Sequence, residues 1–338
     1  MKVAVYGAGA MGTTLGAFLN ESGVETHLIT RNNAHIQTLK DKGAQVVCSA
    51  DNRTIEVPVP ALSCEEVKEK YDLVFLMTKQ RDNEKTAHTL KGLLSENGVV
   101  CTTQNGLPEE GLISVLGEEK VLGAVCTFGA NFLEAGKVEL TSKIQSMRVE
   151  IGSLSTNAEA VERVYSLLKK VGQRFDNPSF ANKAENLASV RWNKLSINAA
   201  FSTLSVVTGM TFGEIAKKRR TASLALRILR ECFAVQRALN IPRVKTHGHD
   251  LEKFFGARNP FARFFLPLAV KNHKHLLSGT LADIKKGRKC EVDLVAGKVT
   301  EKARAVDVET PVIAQAVAIV HGIENGLYEI TPENTAFF

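Results

Sequence analysis

Apolar residues fall in two rhythms along this chain. In its first half they form short runs, each followed by a stretch with helical spacing. Lys2–Tyr6, Glu25–Thr30, Tyr71–Met77 and Gly98–Thr103 read as strands. Thr13–Asn20, Ala34–Lys42 (stopped by Gly43) and Lys85–Leu94 read as helices, and Pro108 permits another to start. Ala44–Pro60 is an irregular polar stretch with β character. Farther on, apolar and polar residues alternate over Val121–Cys126, Lys137–Leu140 and Met147–Ile151, which predicts three more strands. Ser155 and Thr156 can cap a helix over Ala158–Val171, and Gln173–Asp176 reads as a last edge strand. Strands alternating with helices in this way predict a parallel, Rossmann-type α/β sheet.

The rhythm changes after Phe180. From Asn182 the glycines thin out and long amphipathic segments take over: Glu185–Ala200, Ala222–Leu239, Leu281–Lys286, Val292–Ala305 and Thr310–Asn325. Pro242, Pro260, Pro267 and Pro311 punctuate them. The pattern therefore predicts an α/β domain over residues 1–180 and an all-helical domain over 181–338, without a low-complexity linker between them.

The first strand leads directly into Gly7-Ala8-Gly9-Ala10-Met11-Gly12, a G-x-G-x-x-G pattern. Gly7 allows the tight turn, Gly9 lets a pyrophosphate approach the backbone, and Gly12 lets helix and strand pack closely. The helix that follows presents free N–H groups and a partial positive charge to the phosphates. At the end of the second strand an NAD site usually carries a carboxylate for the ribose 2′-hydroxyl; here stands Thr30-Arg31-Asn32. A carboxylate would repel a 2′-phosphate and Arg31 can grip one, so the pattern favours NADP over NAD, unless Arg31 is only a solvated loop residue. Lys79 follows another strand and is placed either to meet an anion or simply to open the next helix in solvent. Gln104-Asn105-Gly106 is first a turn signal, but it too follows a strand, where the Asn105 amide could hold a nicotinamide or a substrate.

Composition narrows the field. The chain has 338 residues, 44% of them hydrophobic, which is ample for two cores. The formal net charge of +7 suits an anionic small molecule and also admits nucleic acid. The basic residues are scattered, however, and no nucleic-acid motif is present; the dense run Lys217–Arg220 reads as a solvated helix end. The six cysteines form no C-x-x-C pair, so neither a metal site nor a redox motif is expected, and free thiols fit a cytoplasmic protein. No apolar run approaches the length of a membrane span, and the N-terminus lacks a signal-peptide design.

The second informative stretch is Arg191-Trp-Asn-Lys-Leu-Ser-Ile-Asn198. On a helix Lys194 and Asn198 share a face while Trp192, Leu195, Ala199 and Ala200 can pack inward. That pair is either a snorkelling lysine beside a polar neighbour, or a proton donor beside a carbonyl-holding amide. Glu291, at the start of a later helix, is either a carboxylate favoured by the helix dipole or a group that balances Lys194 or holds a cofactor hydroxyl.

Taken together, these motifs resemble those of the ketopantoate reductases (2-dehydropantoate 2-reductases). The resemblance rests on Gly7–Gly12, on Thr78-Lys79, on Gln104-Asn105-Gly106, on the Trp192–Asn198 helix, and on Ser278-Gly-Thr-Leu-Ala-Asp283-Ile leading to Glu291-Val-Asp293. It covers nearly the whole chain. It implies a Rossmann domain followed by a helical domain, with NADPH as cofactor and a 2-oxo acid, ketopantoate first, as substrate. It further implies that Lys194 donates the proton, Asn198 binds substrate, Asn105 touches cofactor or substrate, Ala130 lines the cofactor pocket and Glu291 lies near the nicotinamide ribose. Where many members carry a second Asn one turn past Asn198, this chain has Ser202. Where they often carry Ser, it has Ser278 followed by Gly279, and Gly209–Gly213 lacks the Asn often found nearby. These departures leave Lys194 in place and bear on which oxo acid is taken, with Ser202 and Ser278 as the remaining polar candidates. Related dehydrogenases of other 2-oxo or 3-hydroxy acids, and an NADP-binding sensor without turnover, are the competing readings; the presence of a proton donor argues against the sensor. Partners other than the small-molecule substrate, such as nucleic acid or membrane, are not expected, and a homodimer is compatible with the sequence.

Overall fold

The computed structural model describes residues 1–246, 248–271 and 274–338, and the chain packs as two compact units. The first comprises Met1–Gln104 and Pro108–Leu187; the second comprises Asn105–Leu107 and Ala188–Phe338.

The elements of the first unit run β1 Val3–Tyr6, α1 Ala10–Glu21, β2 Thr26–Ile29, α2 Asn33–Lys42, β3 Ala44–Cys48, β4 Arg53–Val57, β5 Ala61–Leu62, β6 Tyr71–Leu76, α3 Asn83–Leu93, β7 Leu94–Thr102, α4 Glu109–Leu116, β8 Val121–Cys126, β9 Ala130–Glu134, β10 Lys137–Leu140, β11 Val149–Ser153, α5 Ala158–Arg174 and β12 Ala181–Lys183. The main sheet has the order β12-β11-β8-β7-β6-β1-β2-β5. Its neighbours are parallel except β8 and β11. The chain leaves β1 for β2 on one side and returns to β6 on the other, so the order reverses beside β1, and the loop after β1 opens at that switch point. This is where open α/β sheets take their ligands.

Strand alternation divides the core of this unit. Val3 and Val5 face α1 and α5, whereas Ala4 faces α3 and α4, and all three are buried. A second sheet, ordered β4-β3-β10-β9, lies beyond α1. Helix α1 is thus packed on both sides, and Gly12 through Leu19 are buried without a polar face. Two small residues make this possible: a Cβ at Gly12 would stand 2.3 Å from the Gly7 carbonyl oxygen, and one at Gly16 would stand 2.1 Å from a Leu28 methyl.

The sequence-based reading is corrected here in three places. The polar stretch after α2 is ordered as β3 and β4 of the second sheet, and β9 completes that sheet although Ala130–Glu134 is mostly exposed. Gln173–Asp176 is not a strand: α5 continues through Arg174, and Asp176 turns the chain with φ of +51°. The edge strand is β12 instead, parallel to β11 with Val149 opposite Ala181. A division at residue 180 therefore falls one strand early; the first unit extends to Leu187.

The second unit is built on α6 Leu187–Ile197, a π-helical turn Asn198–Ser202, α7 Thr203–Thr208, α8 Phe212–Lys217, α9 Arg219–Ala238, α10 Leu251–Phe255, α11 Ala262–Ala269, α12 Gly279–Lys285, α13 Val292–Arg304 and α14 Pro311–Glu324. Apart from an isolated bridge between Thr246 and His249, the described residues here carry no strand pairing. Trp192 is fully buried and its indole N–H donates to the Cys232 carbonyl, which pins α6 to α9. Among the described residues no helix is long and apolar enough to cross a membrane.

Candidate functional site

In the first unit the expected binding residues occupy loops at one edge of the main sheet. Gly7–Gly12 follows β1, Arg31 follows β2, Lys79 follows β6 and Ala130 comes four residues after β8. These strands are mutually parallel through β7, so all four loops leave from C-terminal strand ends. Asn105 follows β7, is exposed, and with Gly106 and Leu107 belongs to the second unit.

The glycine loop can be tested atom by atom. Gly7 has φ of +103°, and a Cβ there would stand 2.6 Å from the Thr78 amide nitrogen. Only glycine accepts both the dihedral and the approach. A Cβ at Gly9 would meet nothing within 4 Å: the space above it is open. Gly9 is also the N-cap of α1, where no side chain caps the helix and no acid occupies the first turn. An uncapped helix end with open backbone in front of it fits a dinucleotide pyrophosphate.

Around this loop two buried networks fix the backbone. Gly7 and Ala8 both donate their amides to the Ile29 carbonyl, tying the loop to the end of β2. The Gln104 side chain lies between the loops after β6 and β7. Its amide N–H donates to Asn83 Oδ1 at 2.8 Å and to Thr78 Oγ1 at 3.3 Å, while its carbonyl accepts from Asn83 Nδ2 and Thr102 Oγ1, each at 3.0 Å. His35 is likewise buried, bonded to Thr13 of α1 and to the Gly136 amide. Gln104 sits inside a motif that pointed to its neighbour Asn105; its own signal, a lone amide after a strand, is indistinguishable from a turn residue until Asn83 is seen opposite it.

Arg31 is exposed in the loop between β2 and α2, one residue before the α2 cap Asn32. Its charge reaches Tyr6 at the end of β1: burial pushes the Tyr6 hydroxyl up, Cys64 adds to this, and Arg31 opposes it. Lys79 is exposed in extended backbone before a short 3-10 turn at Gln80–Asp82. Ala130 is half-buried and opens β9, hydrogen-bonded in register opposite Leu140 in the second sheet.

In the second unit, the Trp192–Asn198 segment sorts its polar residues by role. Asn193 is buried and donates to the Val244 carbonyl and to Thr246 Oγ1, holding that loop. The Ser196 hydroxyl donates back to the Trp192 carbonyl. Lys194 and Asn198 remain half-exposed. The helix does not continue regularly as the periodicity predicted. Asn198 through Ser202 form a π turn, in which each turn holds an additional residue. Asn198 opens that turn and Ser202, also half-exposed, closes it.

Glu291 is the N-cap position of α13 and is half-exposed, with no cap bond from its side chain. The residues on both sides of it are fixed. The Cys290 amide donates to Glu324 Oε1 at 2.7 Å. His321 lies between Glu324 Oε2 at 3.2 Å and Asp293 Oδ1 at 2.9 Å. Burial lowers the His321 pKa, but the two carboxylates outweigh it and hold it above the ordinary histidine value.

Ser278, expected near the substrate, is enclosed as a helix cap. It is 2% exposed, and its hydroxyl accepts the Leu281 amide as the N-cap of α12, while its own amide donates to Ser205 Oγ. A side chain so enclosed is engaged in capping the helix. Gly279 beside it is exposed, with nothing within 4 Å of where a Cβ would stand.

Known proteins are similar to this chain in sequence and in fold. Residues 3–155 match the family described as Ketopantoate reductase PanE/ApbA, and residues 186–324 match Ketopantoate reductase PanE/ApbA C terminal. A 2-dehydropantoate 2-reductase from Archaeoglobus fulgidus is 25% identical over 96% of this chain and 99% of its own length. Among solved structures, 2-dehydropantoate 2-reductase from Geobacter metallireducens GS-15 superposes with a TM-score of 0.81 at 21% identity, covering 95% of this chain and 99% of that one. A D-mandelate dehydrogenase, solved with NADH and anilino(oxo)acetate, superposes with a TM-score of 0.80 at 22% identity, covering 97% of this chain and 99% of that one.

Proposed function

The chain belongs to the ketopantoate reductase PanE/ApbA family, oxidoreductases acting on a CH–OH group, and from that premise we propose that it reduces a 2-oxo acid with NADPH, 2-dehydropantoate being the first candidate. The observation that carries the reading is the loop Gly7–Gly12, whose three glycines each meet the steric demand of a pyrophosphate-binding turn at the switch point of the sheet. Arg31, exposed in the loop after β2, supports NADPH because it offers a bidentate partner to a 2′-phosphate.

The bound cofactor supplies the hydride. The chain supplies the rest. Lys194 donates a proton to the carbonyl oxygen as negative charge develops there, and the Asn198 amide N–H₂ orients that carbonyl. Glu291 would accept from a cofactor hydroxyl. Asn105 and Lys79, from their loops, and Ala130, from the start of β9, would contact the cofactor, and Ser202 would contact the acid. The reaction leaves a 2-hydroxy acid and oxidised cofactor. The six cysteines are all unbridged, which supports a cytoplasmic setting.

A second substrate reading is favoured by one observation. With Ser278 withdrawn into a cap and Gly279 bare, the second unit offers less polar chemistry near α12 than the family pattern provides, which suits a 2-oxo acid with a larger apolar substituent. The test of both is NADPH oxidation followed against a panel of 2-oxo acids that includes 2-dehydropantoate and an aryl 2-oxo acid. Turnover with 2-dehydropantoate supports the first reading, and preference for the aryl acid supports the second. Tight NADPH binding without oxidation by any member would overturn both.

A further inference from the structure

Helix α2 buries Ile36 and Leu39, and on the same side it buries His35, whose exposure is 0%. A histidine at a core position must have its ring nitrogens satisfied. Nδ1 lies 2.8 Å from the Gly136 amide nitrogen in the β9–β10 turn, and Nε2 lies 3.0 Å from Thr13 Oγ1 in the first turn of α1. A backbone amide only donates, so Nδ1 is bare and the proton is on Nε2. Nε2–H therefore donates to Thr13, and the Thr13 hydroxyl donates onward to the Ala8 carbonyl at 3.3 Å. The bonds all run in one direction, from the turn of the second sheet, through His35 and Thr13, to the peptide that joins Ala8 to Gly9.

The surroundings favour the neutral ring. The Phe132 ring packs against it at 5.0 Å in a T-shape, and burial alone pushes its pKa below the ordinary histidine value. The groups facing it from α1, β9 and the β9–β10 turn are Thr13, Phe132 and the Gly136 backbone, none of them charged. A second proton would go to Nδ1, where it would confront the Gly136 N–H, donor against donor.

We propose that His35, as its neutral Nε2–H tautomer, is a positioning residue for the glycine loop, setting the Ala8–Gly9 peptide for NADPH. Protonation of His35 then weakens NADPH binding and leaves the hydride step untouched. The proposal rests on the reading of Gly7–Gly12 as the NADPH loop.

The experiment measures the NADPH dissociation constant of the full chain by nicotinamide fluorescence between about pH 5 and 8. The cofactor's own 2′-phosphate titrates near 6, so the informative quantity is the difference between wild type and variants. His35→Gln keeps a donor toward Thr13 and cannot be protonated: it should bind within about threefold of wild type at pH 7.5 and lose less affinity on acidification. His35→Phe and Thr13→Val should each bind about tenfold more weakly at pH 7.5, and the double variant no more weakly than either, because they break one chain. Should His35→Phe not fold, His35→Gln and Thr13→Val decide the matter. Superimposable pH profiles for wild type and His35→Gln, or additive losses in the double variant, would overturn the proposal. Failure of the wild type to bind NADPH at pH 7.5 would overturn the functional reading itself.

Discussion

Gly7–Gly12 in the first unit and Ser278–Asp283 in the second both lead into a helix N-terminus, and both entered the sequence reading as motif letters. Their ends are finished differently. At α1 no side chain caps the helix, and Gly9 leaves open space in front of it. At α12 the Ser278 hydroxyl takes the Leu281 amide and is buried in doing so. An uncapped N-terminus keeps its donors for a ligand, whereas a capped one has already used both its donor and the capping hydroxyl. The first unit thus binds with backbone, whose geometry glycine fixes directly. The second acts through side chains, and the turn each one occupies decides whether it is available.

The contrast can be broken first where the expected effect is largest. If the second unit acts through side chains, truncating one should remove turnover and spare the cofactor. Lys194→Ala should lower the single-turnover rate of hydride transfer by about 10² to 10⁴ while NADPH affinity stays near wild type. Asn198→Ala should raise KM as well, because an amide that orients the carbonyl also contacts the bound substrate. A rate for Lys194→Ala within about threefold of wild type, less than about 1 kcal/mol of barrier, would make Lys194 a snorkelling helix residue.

The glycines test the other half of the comparison. Gly12→Ala sets a Cβ 2.3 Å from the Gly7 carbonyl oxygen, so the helix must move, at a stability cost of about 1–3 kcal/mol visible in thermal melting. Gly9→Ala meets no protein atom and should melt like wild type, yet bind NADPH roughly tenfold more weakly, about 1.4 kcal/mol. Two alanines three residues apart would then separate folding from binding. Equal melting temperatures for the pair, or unchanged affinity in Gly9→Ala, would remove the basis for calling this loop backbone-built.

That difference also explains what the sequence allowed to be read. The motif at Gly7–Gly12 carries its own reason, since a positive φ at Gly7 and close approaches at Gly7 and Gly12 exclude a Cβ there, and the strand and helix around it have clear periods. The second sheet escaped notice because β9 is largely exposed and β3–β4 is interrupted, so neither gives clean alternation. The π turn at Asn198–Ser202 was invisible for another reason: one additional residue in a turn leaves the apolar spacing nearly helical. The capping role of Ser278 was not legible because capping depends on where a helix starts, and the start at Gly279 lies two residues before the periodic signal at Leu281. Nothing in the sequence singled out His35, since its partner Gly136 lies 101 positions away.

Arg31 sharpens the comparison within the first unit, for there a side chain is added to a backbone site. Arg31→Ala should weaken NADPH about ten- to a hundredfold, the worth of a charge-assisted contact of roughly 1.5–3 kcal/mol, and leave NADH nearly unchanged. The measurement is a pair of dissociation constants. Equal loss for both cofactors would assign Arg31 to the loop's structure and not to the 2′-phosphate.

The smallest effect separates two serines in the second unit. Ser278→Ala removes the α12 cap, and the Leu281 amide loses its acceptor inside the protein. Cap removal of this kind costs about 0.5–2 kcal/mol, and burial of the orphaned amide places the expectation in the upper half of that range. Since the hydroxyl is enclosed, KM for the oxo acid should hold within about twofold. Ser202→Ala should do the reverse. Its side chain is half-exposed at the end of the π turn, so truncation leaves no buried partner behind, and melting should stay within about 0.5 kcal/mol of wild type. If its hydroxyl contacts the substrate, KM should rise severalfold, by one neutral hydrogen bond of about 1 kcal/mol. The two variants therefore form a crossed pair, one read by calorimetry and the other by kinetics. A rise in KM without loss of stability for Ser278→Ala would return that serine to the substrate and remove the distinction between a capped and an open helix end.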